Sequence, residues 1–193
     1  MRGAQTMMTA VSTTLRVNVG CGLYPLPGWI NVDEDADDSF ADMVRRVPPL
    51  PFEDNDIGEI YAGHFLEHLE PDDADAFLDE AMRVLVPGGI LGLMVPDTRE
   101  ILRRYVLDEP AIIEIPAGAV RDLRDLDELC RVVFYSDVQR SGHEWAYDKF
   151  TLRRLLERHG FVVDGEFDRW HDPRVAVGAW YQFGLDAHKP EGR

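Results

Sequence analysis

Apolar residues fall into short runs separated by glycine, proline and acidic clusters. Leu15-Arg16-Val17-Asn18-Val19 is a strand-length run with β-branched valines, and residues 29–33 (WINVD) predict a second strand. The link LYPLPG is short and proline-rich, with room for one helical turn at most. Residues 34–48 carry no clean period, and Pro48, Pro49 and Pro51 mark a loop. Residues 57–63 (IGEIYAG) predict a third strand, and a helix opens at Phe65. Pro71 suits the first turn of the next helix, and Asp72 and Asp73 complement its dipole. Ala74, Phe77, Leu78, Ala81 and Leu85 then recur at helical spacing. Pro87-Gly88-Gly89 predicts a turn, and residues 90–96 (ILGLMVP) form an unbroken apolar run expected of a strand buried on both faces.

Residues 97–142 interrupt this alternation. ILRRYVL predicts a helix, AIIEIPAG a loop or short strand, and VRDLRDLDELC another helix with a solvated charged face. An insertion of this length, 98–142, is expected to cap a site and bind the acceptor. Asp148 caps a helix that places Leu152, Leu155, Leu156 and His159 on one face, and Gly160 stops it. FVVDGEFDRW and VAVGAWYQFGLDAH predict a closing antiparallel pair. The fold class is therefore α/β: a doubly wound, Rossmann-like sheet, mostly parallel, with an antiparallel C-terminal strand pair and an insertion after the fourth core strand. Residues 1–13 read as a flexible tail and 14–193 as one domain.

Charge narrows the partners. Asp and Glu total 36 against 20 Lys and Arg, a formal charge of −16, which repels phosphate backbones and argues against nucleic acid. Two cysteines far apart, Cys21 inside a glycine turn and Cys130, suit a reduced, cytoplasmic protein. No apolar run reaches the ~18 residues of a membrane span, and the N-terminal stretch lacks the apolar core of a signal peptide.

In doubly wound sheets ligands sit beyond the carboxyl ends of the strands. Gly20-Cys21-Gly22, Asp33, His64 and Pro96-Asp97 each follow an expected strand. The third glycine of a dinucleotide fingerprint is missing, and Asp33 follows Gly20 too closely for the NAD spacing of ~20 residues. A cofactor with a ribose and no phosphate fits better, because glycines admit a close backbone and an ionised carboxylate accepts from both ribose hydroxyls. S-adenosylmethionine meets that description.

VNVGCG, GWINVD, LPFEDNDIGEIYAGHFLEHL, FLDEAMRVLVPGGILGLMVPD and HEWAYDKFTLRRLLERHGF, in this order, resemble the motifs of class I S-adenosylmethionine-dependent methyltransferases. The chain is similar to small bacterial methyltransferases of the type 11 kind that modify sugars or secondary metabolites. The resemblance implies S-adenosylmethionine as cofactor and S-adenosylhomocysteine as product. It implies that Gly20, Cys21 and Gly22 approach the methionine part and that Asp33 holds the ribose diol. It also implies that Asp42 accepts from the adenine amino group with Met43 beside it, and that His64 borders the sulfonium. Asn18 stands where many members carry an acid on the first strand.

Methyl transfer to oxygen is aided by a base, and histidine titrates in the right range. His143, in SGHEWAY between the insertion and the next helix, is the first candidate, with His64 and His171 as rivals. Tyr105, Tyr135 and Trp145 are candidates for the acceptor pocket, with Phe134, Tyr147 and Trp170 further aromatics in reach. Glu67-His68 lacks a third ligand at metal spacing in the sequence, so no metal is expected. The expected function is methyl transfer to a small molecule, at a sugar-like or secondary-metabolite hydroxyl first and at nitrogen second. No nucleic-acid or membrane partner is expected, and a homodimer is left open. A non-catalytic partner subunit on the same fold and an NAD-dependent dehydrogenase are the alternatives.

Overall fold

The computed structural model describes residues 14–35, 37, 39–107, 109, 112–114, 120–122, 143–166 and 180–192. Seven strands form one sheet: β1 (Leu15–Val19), β2 (Ile30–Asp33), β3 (Met43–Val44), β4 (Ile57–Gly63), β5 (Leu85–Pro96), β8 (Val162–Glu166) and β9 (Gln182–His188). Their order is β3-β2-β1-β4-β5-β9-β8. The first five are parallel, while β9 runs antiparallel to both β5 and β8. Because the chain moves outward from β1 to β3 and then returns to lay β4 on the other side of β1, a crevice opens where the direction reverses. The sheet bears out the doubly wound, mostly parallel reading with an antiparallel C-terminal pair. The two-residue β3 lies in the stretch 34–48, where no period predicts an element, so the insertion follows the fifth strand of the chain.

The helices follow local chemistry. A single 3₁₀ turn (Leu66–His68) takes the place of the helix expected at Phe65, and α1 (Pro71–Val84) opens on Pro71, Asp72 and Asp73. Its buried face is Ala74, Phe77, Leu78, Ala81 and Val84. Leu85 already belongs to β5, opposite Ile57, and Pro87-Gly88-Gly89 lies inside that strand rather than ending the helix in a turn. Here β4 and β5 change register: Ile57 pairs with Leu85 and Glu59 with Ile90. Gly89 has no room for a side chain, since a Cβ would stand 2.8 Å from the Val86 carbonyl oxygen.

After β5 come α2 (Thr98–Val106) and a hairpin of β6 (Ile112–Glu114) and β7 (Val120–Asp122). The opening VRD of the helix expected over 120–130 is thus a strand; the remainder lies outside the described residues. The last helix, α3 (Lys149–Arg158), carries a full capping box: Thr151 N donates to Asp148 Oδ1 at 2.7 Å, and Asp148 N to Thr151 Oγ1 at 3.0 Å. Leu152 and Leu156 bury its inner face, and Gly160 turns the chain at φ +87. Among the described residues no helix is long and apolar enough to cross a membrane.

Candidate active site

The crevice holds a cleft of about 450 Å³. Gly20 comes from the end of β1, Asp33 and Glu34 from β2, Arg45 and Arg46 from beyond β3, and His64 and Phe65 from beyond β4; His68 and Glu144 close one side. Five carboxylates line it, Asp33, Glu34, Glu70, Asp73 and Glu144, against the guanidiniums of Arg45 and Arg46. Arg46 is itself drawn to Asp73 at 3.3 Å. The balance favours a cationic ligand.

The glycine turn is shaped by two separate demands. Gly20 adopts φ +67, and a Cβ there would lie 2.7 Å from Phe65 Cδ2, so both backbone and packing exclude a side chain. Gly22, at φ +48, has open space around it. Its N–H donates to Asp33 Oδ2 at 2.8 Å, while Asp35 N donates to Oδ1 at 3.1 Å. Each carboxylate oxygen keeps acceptor capacity for a further donor. Gly22 and Cys21 shape the turn without lining the cleft, and Cys21 is buried.

Two buried asparagines replace the missing helix after β1. Asn18 Nδ2 donates to Asn31 Oδ1 at 2.9 Å, which also accepts from Leu26 N at 2.7 Å. Asp42 closes this network: its Oδ2 accepts from both N and Nδ2 of Asn31, each at 2.9 Å, which holds the carboxyl below its ordinary range. Asp42 and Met43 do not line the cleft. The described residues beyond β3 that line it are instead Arg45, Arg46 and Val47. The network explains Asn18, whose amide clamps the 23–29 loop. No motif signalled it, because Asn31 and Asp42 matter here through pairing between strands.

His64 sits at φ +51, a conformation that non-glycine residues seldom take. Its Nδ1 lies 3.0 Å from Glu67 Oε1 and its Nε2 2.9 Å from Gln182 Oε1. An ionised Glu67 only accepts, so Nδ1 carries a proton and donates. With both ring nitrogens engaged, His64 is held in place at the cleft wall rather than offered to an acceptor. Burial pushes the Glu67 carboxyl up, but the His64 hydrogen bond and charge outweigh it and leave the group below its usual value. Glu67 also anchors the distant 143–145 segment, for its carbonyl accepts from Glu144 N at 2.7 Å and Trp145 N at 3.1 Å. That docking brings His143 edge-on to His68, with ring centroids 4.6 Å apart.

The remaining expected residues lie elsewhere. Asp97 is buried and caps α2, accepting from Glu100 N at 3.1 Å, and burial raises its carboxyl. Trp145 is exposed and lines a separate depression of about 440 Å³ with Pro71, Tyr147 and Leu155. Tyr147 itself is buried, which pushes its phenol up. The side chain of Tyr105 and the whole of Phe134, Tyr135, Trp170, His171 and Cys130 lie outside the described residues.

The cleft fits S-adenosylmethionine on its own features. Asp33 offers acceptors at the end of β2, Gly20 admits close backbone approach, and the acidic lining suits a sulfonium cation. Among the described residues no helix lies between the glycine turn and β2, so none there presents its N-terminus to a pyrophosphate.

Comparison with known proteins agrees. Residues 33–93 match the family described as Methyltransferase domain. A chain of the complex between the Haloferax volcanii Trm112 methyltransferase activator and a methyltransferase superposes with TM-score 0.58 at 14% identity, covering 92% of this chain and 83% of that one. An S-adenosylmethionine-dependent methyltransferase from Archaeoglobus fulgidus gives 0.56 at 15%, covering 92% and 87%. One from Mesorhizobium loti gives 0.55 at 14%, covering 90% of each chain. At these identities the likeness is one of fold. No curated protein sequence matches the chain.

Proposed function

We propose that the chain, whose residues 33–93 match a methyltransferase domain, is a class I S-adenosylmethionine-dependent methyltransferase that methylates a hydroxyl of a small, polar molecule of the sugar or secondary-metabolite kind. The observation that supports this reading is the imidazole pair of His68 and His143 at the edge of the cofactor cleft. S-adenosylmethionine supplies a methyl carbon made electrophilic by the sulfonium. The chain then has two tasks: to align the acceptor and to help its oxygen lose a proton. Asp33 and the Gly20 turn bind and orient the cofactor. His64, fixed by Glu67 and Gln182, shapes the wall beside it. The imidazole pair eases proton loss. An amine acceptor is the second choice, since a neutral amine needs no base to attack. The charge of −16 disfavours nucleic acid as acceptor.

The test is transfer of labelled methyl from S-adenosylmethionine to a panel of sugars, glycosides, polyols and amines, with RNA and protein as controls. Methylation of neutral hydroxylated acceptors is expected. Label found only in RNA or protein would overturn the reading.

A further inference from the structure

Glu67 is almost fully buried, with 1% of its side chain exposed, yet its Oε2 has no hydrogen-bond partner. A buried carboxylate oxygen left without a donor is costly and calls for an explanation. The surroundings offer one. A carboxylate oxygen of Glu67, a ring nitrogen of His68 and a ring nitrogen of His143 lie within 4.8 Å of one another. The two imidazole planes meet at 88°. The grouping is built into the fold, since the backbone bonds from Glu144 and Trp145 to the Glu67 carbonyl fasten one segment to the other.

We propose that Glu67, His68 and His143 bind a divalent transition-metal cation of the zinc class. A cation supplies the partner that Glu67 Oε2 lacks. Two imidazoles and one carboxylate are the donor set of catalytic zinc and non-haem iron centres, which leave a coordination position open. Calcium and magnesium prefer oxygen donors and are the poorer match. Ligand atoms on a zinc tetrahedron stand about 3.4 Å apart, so separations up to 4.8 Å close with small side-chain rotations, and His68 and His143 are not fully buried. The supporting shell is present too: His64 Nδ1–H orients the Glu67 carboxylate, and Gln182 in turn orients His64. This deepens the proposed methyl transfer and rests on it for its purpose. His68 and Glu144 line the cofactor cleft, so the open position faces an acceptor. A hydroxyl bound there loses its proton more readily, and His143 acts as a ligand.

Zinc uptake tests the site without any methyl transfer. The chelator-stripped full chain is titrated with Zn²⁺ by calorimetry against a competing chelator, and with Co²⁺ by visible absorption. One tight site is expected. Glu67→Gln, His68→Ala and His143→Ala should each weaken it by more than ~100-fold, and His64→Asn, which touches only the supporting shell, by about 10–100-fold. His159→Gln, at a largely buried histidine paired with Asp75 and Asp79, should change nothing. His68 is exposed, so His68→Ala tests the site even if Glu67→Gln does not fold. Zinc affinity unchanged by His68→Ala and His143→Ala, or no stoichiometric binding, would overturn the proposal. Full methyl transfer by stripped protein lacking such a site would sink the metal and leave the methyltransferase reading standing.

Discussion

Gly20→Ala separates the two demands made on the glycine turn. A non-glycine residue in the left-handed region costs roughly 1–2 kcal/mol. At φ +67 alanine pays that cost, and its Cβ would stand 2.7 Å from Phe65 Cδ2 and 3.0 Å from Phe65 Cβ. Phe65 cannot yield freely, because its ring packs edge-on against the fully buried Phe77 with centroids 5.2 Å apart. Overpacking of this kind adds about 1–3 kcal/mol, for a total near 2–5 kcal/mol. Gly22→Ala, at φ +48 with nothing within 4 Å, should lose only the backbone share. In urea denaturation Gly20→Ala should lower the midpoint well beyond Gly22→Ala at an unchanged slope. By the usual scaling, Tm should fall by ~4–20 °C against ~2–8 °C. Equal losses would refute the packing half of the reasoning. An undiminished midpoint for both would refute the turn itself.

Asp33→Ala removes a charged acceptor, and hydrogen bonds to charged groups are worth about 1.5–3 kcal/mol each, so S-adenosylhomocysteine affinity should fall at least ~10-fold by calorimetry. Unchanged affinity would reduce Asp33 to the acceptor for Gly22 N. Asp97 gives the pH dependence. Its folded carboxyl is raised by burial, so its contribution to stability is present at low pH and lost as pH rises through the folded value. Asp97→Asn keeps an acceptor for Glu100 N and removes the buried charge, so it should melt higher than the parent near pH ~7 and no higher below pH ~4. A gain independent of pH, or a loss near neutrality, would contradict this.

What could be read from the sequence was what local patterning encodes. The strands over 15–19 and 57–63 and the apolar face of α1 show in the local spacing of their apolar residues, and the Asp148 cap of α3 closes within three residues. Features set by pairing across the sheet were not legible. Met43–Val44 is a strand only because it lies beside Val32 and Asp33. Pro87-Gly88-Gly89 has turn chemistry, and Gly88 does take φ +76, but the turn is a bulge inside β5 held by the Lys189 backbone, which bonds to Gly88 and Gly89. The site divides in the same way. Gly20, Asp33 and His64 could be found because strand ends in this topology converge. The approach of His143 to Glu67 and His68 depends on two backbone bonds between segments far apart in the chain, and no spacing rule reports them.

The central claim is that the crevice beside β1 is built for S-adenosylmethionine. Calorimetric titration of the full chain with S-adenosylhomocysteine, with NAD as the comparison, tests it most directly. One site in the roughly micromolar range, about −8 kcal/mol, is expected for S-adenosylhomocysteine, with no heat from NAD. Tight NAD binding with no response to S-adenosylhomocysteine would contradict the account.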